Sequence, residues 1–386
     1  MACRLFRLGL LAACAQLVAA ADLVPGRAFD RFISIWLENQ DFDKVTADSA
    51  FAELRKQGIL QTRYYAQTHP SQPNYLAAIA GDYWGLDHDD VVRIPKNVST
   101  IVDLLNDKRI SWSAAMESIP SPGYLGNASL AEDGYTVDYV RKHNPFASYD
   151  SIANHGFKLI NVRSLDDFKR SLAEGTVPQF VMMSPNMLHD GHDTTLENAT
   201  IWSRDFLQPL LKDNSKIFAE RTLIQLTYDE TEDYSQPNRI VSLLLGNAVP
   251  ADLRGTEDND FYTHFSILST VQNNWELSNL GRYDVGANVF RVVAEKTGYK
   301  NMDPPNAERV NNSVSYPGFL NMNHTTKLTT LPAPNLNLVG AGGKGILQSI
   351  KETWGNGAGA GGQIKTPYDG KHYVFDGDNV PEYTLQ

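Results

Sequence analysis

The sequence predicts an α/β protein: a mostly parallel central sheet with helices on both faces, followed by an irregular C-terminal extension. Three observations predict it. Runs dense in Ile, Val, Leu and Phe recur along the chain, as in "FISIWL" (32–37), "QFVMMSP" (179–185), "RTLIQLTYDE" (221–230) and "RIVSLLLG" (239–246). Continuous apolar runs of this length suit strands buried on both faces. Segments with helical start and stop signals lie between them, and that alternation is the pattern of crossover-linked parallel strands. Beyond residue 300 both signals fade into Pro-, Asn- and Gly-rich sequence.

At 386 residues with 42% apolar side chains, the chain can bury one large core. Residues 1–20 read as a secretory signal peptide: Arg4 and Arg7, an apolar run, then small residues up to Ala20 or Ala21. The run is too short to span a bilayer and no stop-transfer pattern follows, so no stable membrane anchor is expected. Both cysteines, Cys3 and Cys14, lie in that leader, which leaves the body without disulfides or thiolate chemistry. Five N-x-S/T sequons, at Asn97, Asn127, Asn198, Asn311 and Asn323, fit a secreted, glycosylated product in the medium or cell wall. Without Arg4 and Arg7, 32 basic side chains face 45 acidic ones, a net charge of −13. Such a surface repels polyanions, so no nucleic-acid partner is expected.

Residues 21–300 form the catalytic body. The first strand, 32–37, exits into Glu38 and Asn39, hard oxygen donors at a strand's carboxyl end, where sheet enzymes gather their chemistry. Next comes "SQPNYLAAIAG", a helix opening at Ser71 with Pro73 early in its first turn. Ser71 there is either an ordinary N-cap or a nucleophile whose hydroxyl is activated by a metal. Asn74, one turn on, carries an amide able to donate to a phosphoryl oxygen.

Helices follow over residues 99–109, with a serine start, and 164–175, with a serine start and a glycine stop. After the strand at 179–185, "NMLHDGHD" brings His189, Asp190 and His192 within four residues, able to bind metal or phosphate and to supply a proton. The strand over 221–230 ends in Asp229 and Glu230, which add oxygen donors to the same edge. His264 precedes an apolar helix, and a last helix is expected over 285–298. "GAGGKG" (340–345) satisfies G-x-G-x-x-G, but no second strand or ribose-binding acid follows it, so a plain turn is the expectation. "GNGAGAGG" (355–362) reads as a flexible tract, and 301–386 as a loose appendage that wraps the body or carries a separate small role. Acids, histidines and one serine at several strand ends form the constellation of a metal-assisted phosphoryl transferase.

The order of these motifs resembles one family. Glu38-Asn39, Ser71-x-Pro-Asn74, Pro185-Asn-x-x-His-Asp-x-His192, Thr227-Tyr-Asp-Glu230 and His264-Phe-Ser, with "YVRKHNPFASYDSI" and "FYTHFSILSTVQNNW", are similar to the phosphoesterases that include secreted fungal acid phosphatases and bacterial acid phosphatases and phospholipases C. The likeness runs from about residue 30 to 300 and implies an alkaline phosphatase-like fold. It implies that Ser71 is the phosphorylated nucleophile and that Asn74 steadies a non-bridging oxygen. It also implies that Glu38, Asn39, Ser71, Asp229 and Glu230 hold a divalent metal. The superfamily's second metal site uses Asp-x-x-x-His, and the chain reads Asn186-x-x-x-Asp190 there. One metal is therefore expected, with protonated His189, His192 and His264 in place of the second cation. Either His192 or His189 protonates the leaving alcohol. Lys142, His143 and Asp190 are expected to meet substrate. The implied activity is a secreted acid phosphatase releasing orthophosphate from small phosphate monoesters. The alternative is a phospholipase C or phosphodiesterase on the same scaffold, and a non-catalytic wall protein ranks last because the catalytic residue types are present.

Overall fold

The computed structural model describes residues 23–212, 214–305, 307–323, 325, 329–355, 365–374 and 384–385. The expected leader and the glycine tract from 356 onward lie outside the described residues. Eight strands form the central sheet: β1 (Arg31–Leu37), β2 (Ile59–Tyr65), β3 (Trp112–Met116), β4 (Val162–Ser164), β5 (Phe180–Ser184), β6 (Thr222–Tyr228), β7 (Arg239–Leu245) and β8 (Thr256–Thr263). Their order is β8-β2-β7-β6-β1-β5-β3-β4, and only β7 runs against its neighbours. The mostly parallel α/β sheet expected from the apolar runs is therefore present. Every residue of β1 and β6 is buried, as strands covered on both faces require. Because the other seven strands run one way, the residues that follow β1, β2, β3, β5, β6 and β8 emerge at one edge.

The four strands expected from apolar runs stand within a residue or so of their predicted bounds. The other four lack that signal: β3 is rich in small residues, and β8 is an edge strand whose Asp258 and Asp260 are paired by Arg291. Two helices lie inside their expected spans. Ile101–Asp107 is capped by Thr100 in a capping box with Asp103, one residue after the expected serine. Leu165–Glu174 is capped by Ser164 and stopped by Gly175 at φ 72°. The expected 285–298 helix is shorter, Arg291–Thr297. Its start is delayed because the Val289 and Phe290 N–H groups donate to Asn301 Oδ1 (2.9 Å) and Thr270 Oγ1 (2.9 Å) instead.

The helix Ser71–Ala80 is buried at all ten positions and packs on Phe265–Trp275, which is also wholly buried. The described residues after 300 include the short helix Gln348–Trp354, and Tyr316, Ile350 and Tyr368 among them are buried against the body. Just past the Ser71 helix, buried Asp82 accepts from the Tyr83 and Trp84 N–H groups (2.7 and 2.9 Å). Its remaining capacity is filled from far along the chain, by Tyr316 OH at 2.7 Å and Tyr368 OH at 2.6 Å. Gly85 and Gly318 let two backbones touch: a Cβ on Gly85 would lie 2.3 Å from Gly318 N. "GAGGKG" forms a turn, closed by Gly340 N–H on Lys344 O at 3.0 Å. Tyr316→Phe and Tyr368→Phe each remove a donor to a buried carboxylate while keeping the ring. Each is expected to cost about 1–3 kcal/mol in a denaturant melt, and a neutral result in both would show that the segment does not brace Asp82. Among the described residues no helix is long and apolar enough to cross a membrane.

Candidate active site

β1 and β6 pair in register up to Leu37 and Tyr228, so Glu38 and Asn39 leave the sheet beside Asp229 and Glu230. Asn39 takes a left-handed φ of 43°, which a short polar side chain tolerates. That turn aims its N–H at Asp229 Oδ1 (3.0 Å), which also accepts from Glu230 N–H (2.7 Å). The second Asp229 oxygen is buried and has no hydrogen-bond partner.

Ser71 arrives from the next helix. Its N-cap is Pro70, and Ser71 is the first helical residue with no capping bond from its side chain. The hydroxyl instead turns into the acidic cluster, with Oγ 2.9 Å from Glu38 Oε2, 3.0 Å from Glu230 Oε1 and 3.4 Å from Asn39 Oδ1. One hydroxyl proton thus faces three oxygen acceptors, and it can satisfy only one at a time. Burial pushes the pKa values of Glu38, Asp190, Asp229 and Glu230 upward, and for the last three the neighbouring carboxylates push further. A hard divalent cation fits this nest: it would meet carboxylate, amide and hydroxyl oxygens together and offset their charge. Among the described residues no ready-made group of three His, Cys, Asp or Glu ligands stands, so the fit rests on the mixed set of oxygens.

Positive charge comes from Lys142, whose Nζ lies 2.9 Å from Asp89 Oδ2. Burial works against its proton, but Glu38 and Asp89 outweigh that and hold the ammonium charged. Buried His143 places Nε2 3.1 Å from Glu38 Oε1 and Nδ1 3.6 Å from Asp190 Oδ2. Burial, with Lys142 beside it, pulls its pKa down to about 3. Asp190 accepts the Glu38 N–H on its carbonyl (2.9 Å) and the His192 N–H on Oδ1 (2.9 Å). His192 is close enough for its charge to act on Glu38 and His143, while its Nδ1 lies 2.6 Å from Asp193 Oδ1.

Three expectations meet a different arrangement. Asn74 spends its amide on the backbone: its Oδ1 accepts the Gln67 and Thr68 N–H groups (2.8 and 3.3 Å) and its Nδ2 donates to Thr68 and Pro70 carbonyls (2.7 and 3.2 Å). It clamps the turn that delivers Ser71. His264 is fully buried against Trp36, donates Nε2–H to the Asp229 carbonyl at 2.8 Å, and is pulled by burial to a pKa of about 3. Burial therefore favours its neutral form, which makes it a poor replacement for a cation. His189 lies outside the Ser71 cluster, with Nδ1 2.9 Å from Glu117 Oε2 and its ring against Trp202. The helix start also offers few donors, because Gln72 N–H is taken by Asp89 Oδ1 (2.9 Å) and Pro73 has none.

Sequence reasoning passed over His69, Tyr75, Asp89 and Tyr234. His69 Nδ1 contacts Glu230 Oε2, and Tyr234, half exposed, stacks on its ring at 3.6 Å. Tyr75 OH donates to Glu38 Oε1. Tyr75 had a signal, since it stands four residues after Ser71 and so shares its helix face.

A profile of the Phosphoesterase family matches residues 36–278. The chain is 44% identical over 331 residues to a probable acid phosphatase of Kluyveromyces lactis, covering 86% of this chain and 77% of that protein. It is 43% identical over 348 residues to an acid phosphatase of Aspergillus fumigatus, covering 89% and 77%. A phosphatidylinositol-3-phosphatase of Mycobacterium tuberculosis is 25% identical over 231 residues, covering 59% of this chain and 70% of that protein.

Proposed function

The chain belongs to the Phosphoesterase family, and from that premise we propose that it is a secreted acid phosphatase hydrolysing small phosphate monoesters through a phosphoserine at Ser71. The observation that carries the reading is the single Ser71 hydroxyl enclosed by Glu38, Asn39 and Glu230 oxygens at 2.9, 3.4 and 3.0 Å. Held by Glu38, Asn39, Asp229 and Glu230, a divalent cation would supply Lewis acidity that lowers the pKa of the Ser71 hydroxyl.

Ser71 passes its hydroxyl proton to Glu230, whose Oε1 lies 3.0 Å from Oγ, and Oγ attacks phosphorus as the ester O–P bond breaks. Lys142 orients a non-bridging oxygen and carries its charge. The departing alkoxide takes a proton from His192, the histidine whose charge reaches the cluster. Water then attacks the phosphoserine and returns a proton to His192, the Ser71 Oγ–P bond breaks to free orthophosphate, and Glu230 gives its proton back to Ser71. Tyr75 and His69, on Glu38 and Glu230, hold the two carboxylates that face Ser71. Export is supported by the leader pattern and by the five sequon asparagines, all of which are exposed.

The test is chemical trapping. Enzyme turning over a 32P-labelled monoester and quenched in acid should retain label as acid-stable phosphoserine in the peptide containing Ser71. Label on an acid-labile histidine instead, or no label despite a kinetic burst, would overturn the covalent mechanism.

A further inference from the structure

Away from the acidic cluster, the helix Leu196–Leu210 carries a half-buried aromatic strip at the surface. Trp202 stacks on Phe206 with ring centres 5.1 Å apart and planes at 8°, and His189 lies against Trp202 at 6.0 Å and 21°. With Leu188 and Ile201 these rings line a cavity of ≈ 610 Å³, and Leu188 and His189 remain 38% and 40% exposed. A sequon asparagine, Asn198, lies on the rim of the same cavity. Asn198, Ile201, Trp202 and Asp205 stand at i, i+3, i+4 and i+7, so they share one helical face.

We propose that the Trp202–Phe206 strip is a carbohydrate platform whose occupant is the chain's own N-linked glycan on Asn198. This rests on the reading that the chain is exported through a glycosylating route. Attachment one turn before Trp202 delivers the first N-acetylglucosamine to the strip without a search. Sugar C–H bonds present a weakly positive apolar face, and an aromatic ring presents an electron-rich one. Asp205, on the same face, is an acceptor for sugar hydroxyls. The arrangement covers an apolar patch that would otherwise meet solvent. It also braces the helix that packs beside the 188–192 loop, where a Cβ on Gly191 would lie 3.1 Å from the Ala199 Cβ.

The full chain made in a glycosylating host provides the test, with Asn198→Gln, Trp202→Ala and the double variant beside it. Peptide mass spectrometry should find Asn198 occupied. Asn198→Gln should lower Tm by about 1–3 °C, and by much less when Trp202 is already alanine, while monoester turnover stays at the parent level. Should Trp202→Ala fold poorly, oxidative footprinting of the unmutated protein serves instead: enzymatic removal of the glycan should raise Trp202 modification severalfold. An equal Tm drop in both backgrounds, or an unchanged footprint, overturns the platform. If the other sequons are occupied and Asn198 is bare, only this proposal falls; if none is occupied, the export reading falls with it. A deglycosylated enzyme whose KM drops for aromatic monoesters alone would make the strip a substrate subsite and also overturn the proposal.

Discussion

Ser71→Ala should yield a folded protein whose turnover of p-nitrophenyl phosphate falls by at least about 10³-fold, since no other group can take the phosphoryl transfer from that position. The fold should survive because the side chain makes no capping bond and its helix is held by burial along its whole length. The variant leaves Glu38 Oε2 and Glu230 Oε1 facing a methyl group. That costs on the order of 1–2 kcal/mol, well short of unfolding a core of this size. Steady-state kinetics beside far-UV circular dichroism reads both halves of the expectation. Turnover within about tenfold of the parent, with native dichroism, would mean that water attacks the ester directly.

Removing divalent metal should lower activity by at least about 10²-fold, with recovery on adding back a single cation. The chelated protein should also carry a distinctive pH signature. Burial and mutual repulsion raise the folded-state pKa values of Asp190, Asp229 and Glu230, so the folded form holds those protons more tightly than the unfolded chain. Their contribution to stability is then complete below the unfolded value of about 4 and is lost as pH climbs through the raised folded values. As pH climbs above that unfolded value, Tm of the chelated protein should fall more steeply than that of the metal-loaded one. Full activity in protein shown by elemental analysis to be metal-free would refute the oxygen nest as a cation site.

Much of this site was legible in the linear chain because parallel sheets expose their strand ends together. Glu38-Asn39 and Asp229-Glu230 announce themselves as polar residues ending strongly apolar strands, and Ser71 as the opening of an Ala- and Leu-rich helix. The histidines misled because a letter does not reveal burial. His264 looks like His192 on paper, yet one lies under Trp36 on a backbone carbonyl and the other lies half-open beside Asp193. Asn74 misled because its partners are backbone groups only four to seven residues upstream, and local side-chain-to-backbone bonds leave no compositional trace. Of the four missed strands, β3 is small-residued, β4 is three residues long, β8 lies at the sheet edge, and β2 has its apolar run broken by Gln61, Thr62 and Arg63.

The two tyrosines on Asp82 also bear on how the molecule is made. The helix bearing Ser71 ends at residue 80, yet the carboxylate two positions later gains its last hydroxyl partner only from residue 368. A polypeptide threading outward from its amino end must therefore have been extended past residue 368 before that junction can close. A chain stopped between residues 82 and 368 should therefore hold the helix bearing Ser71 more loosely.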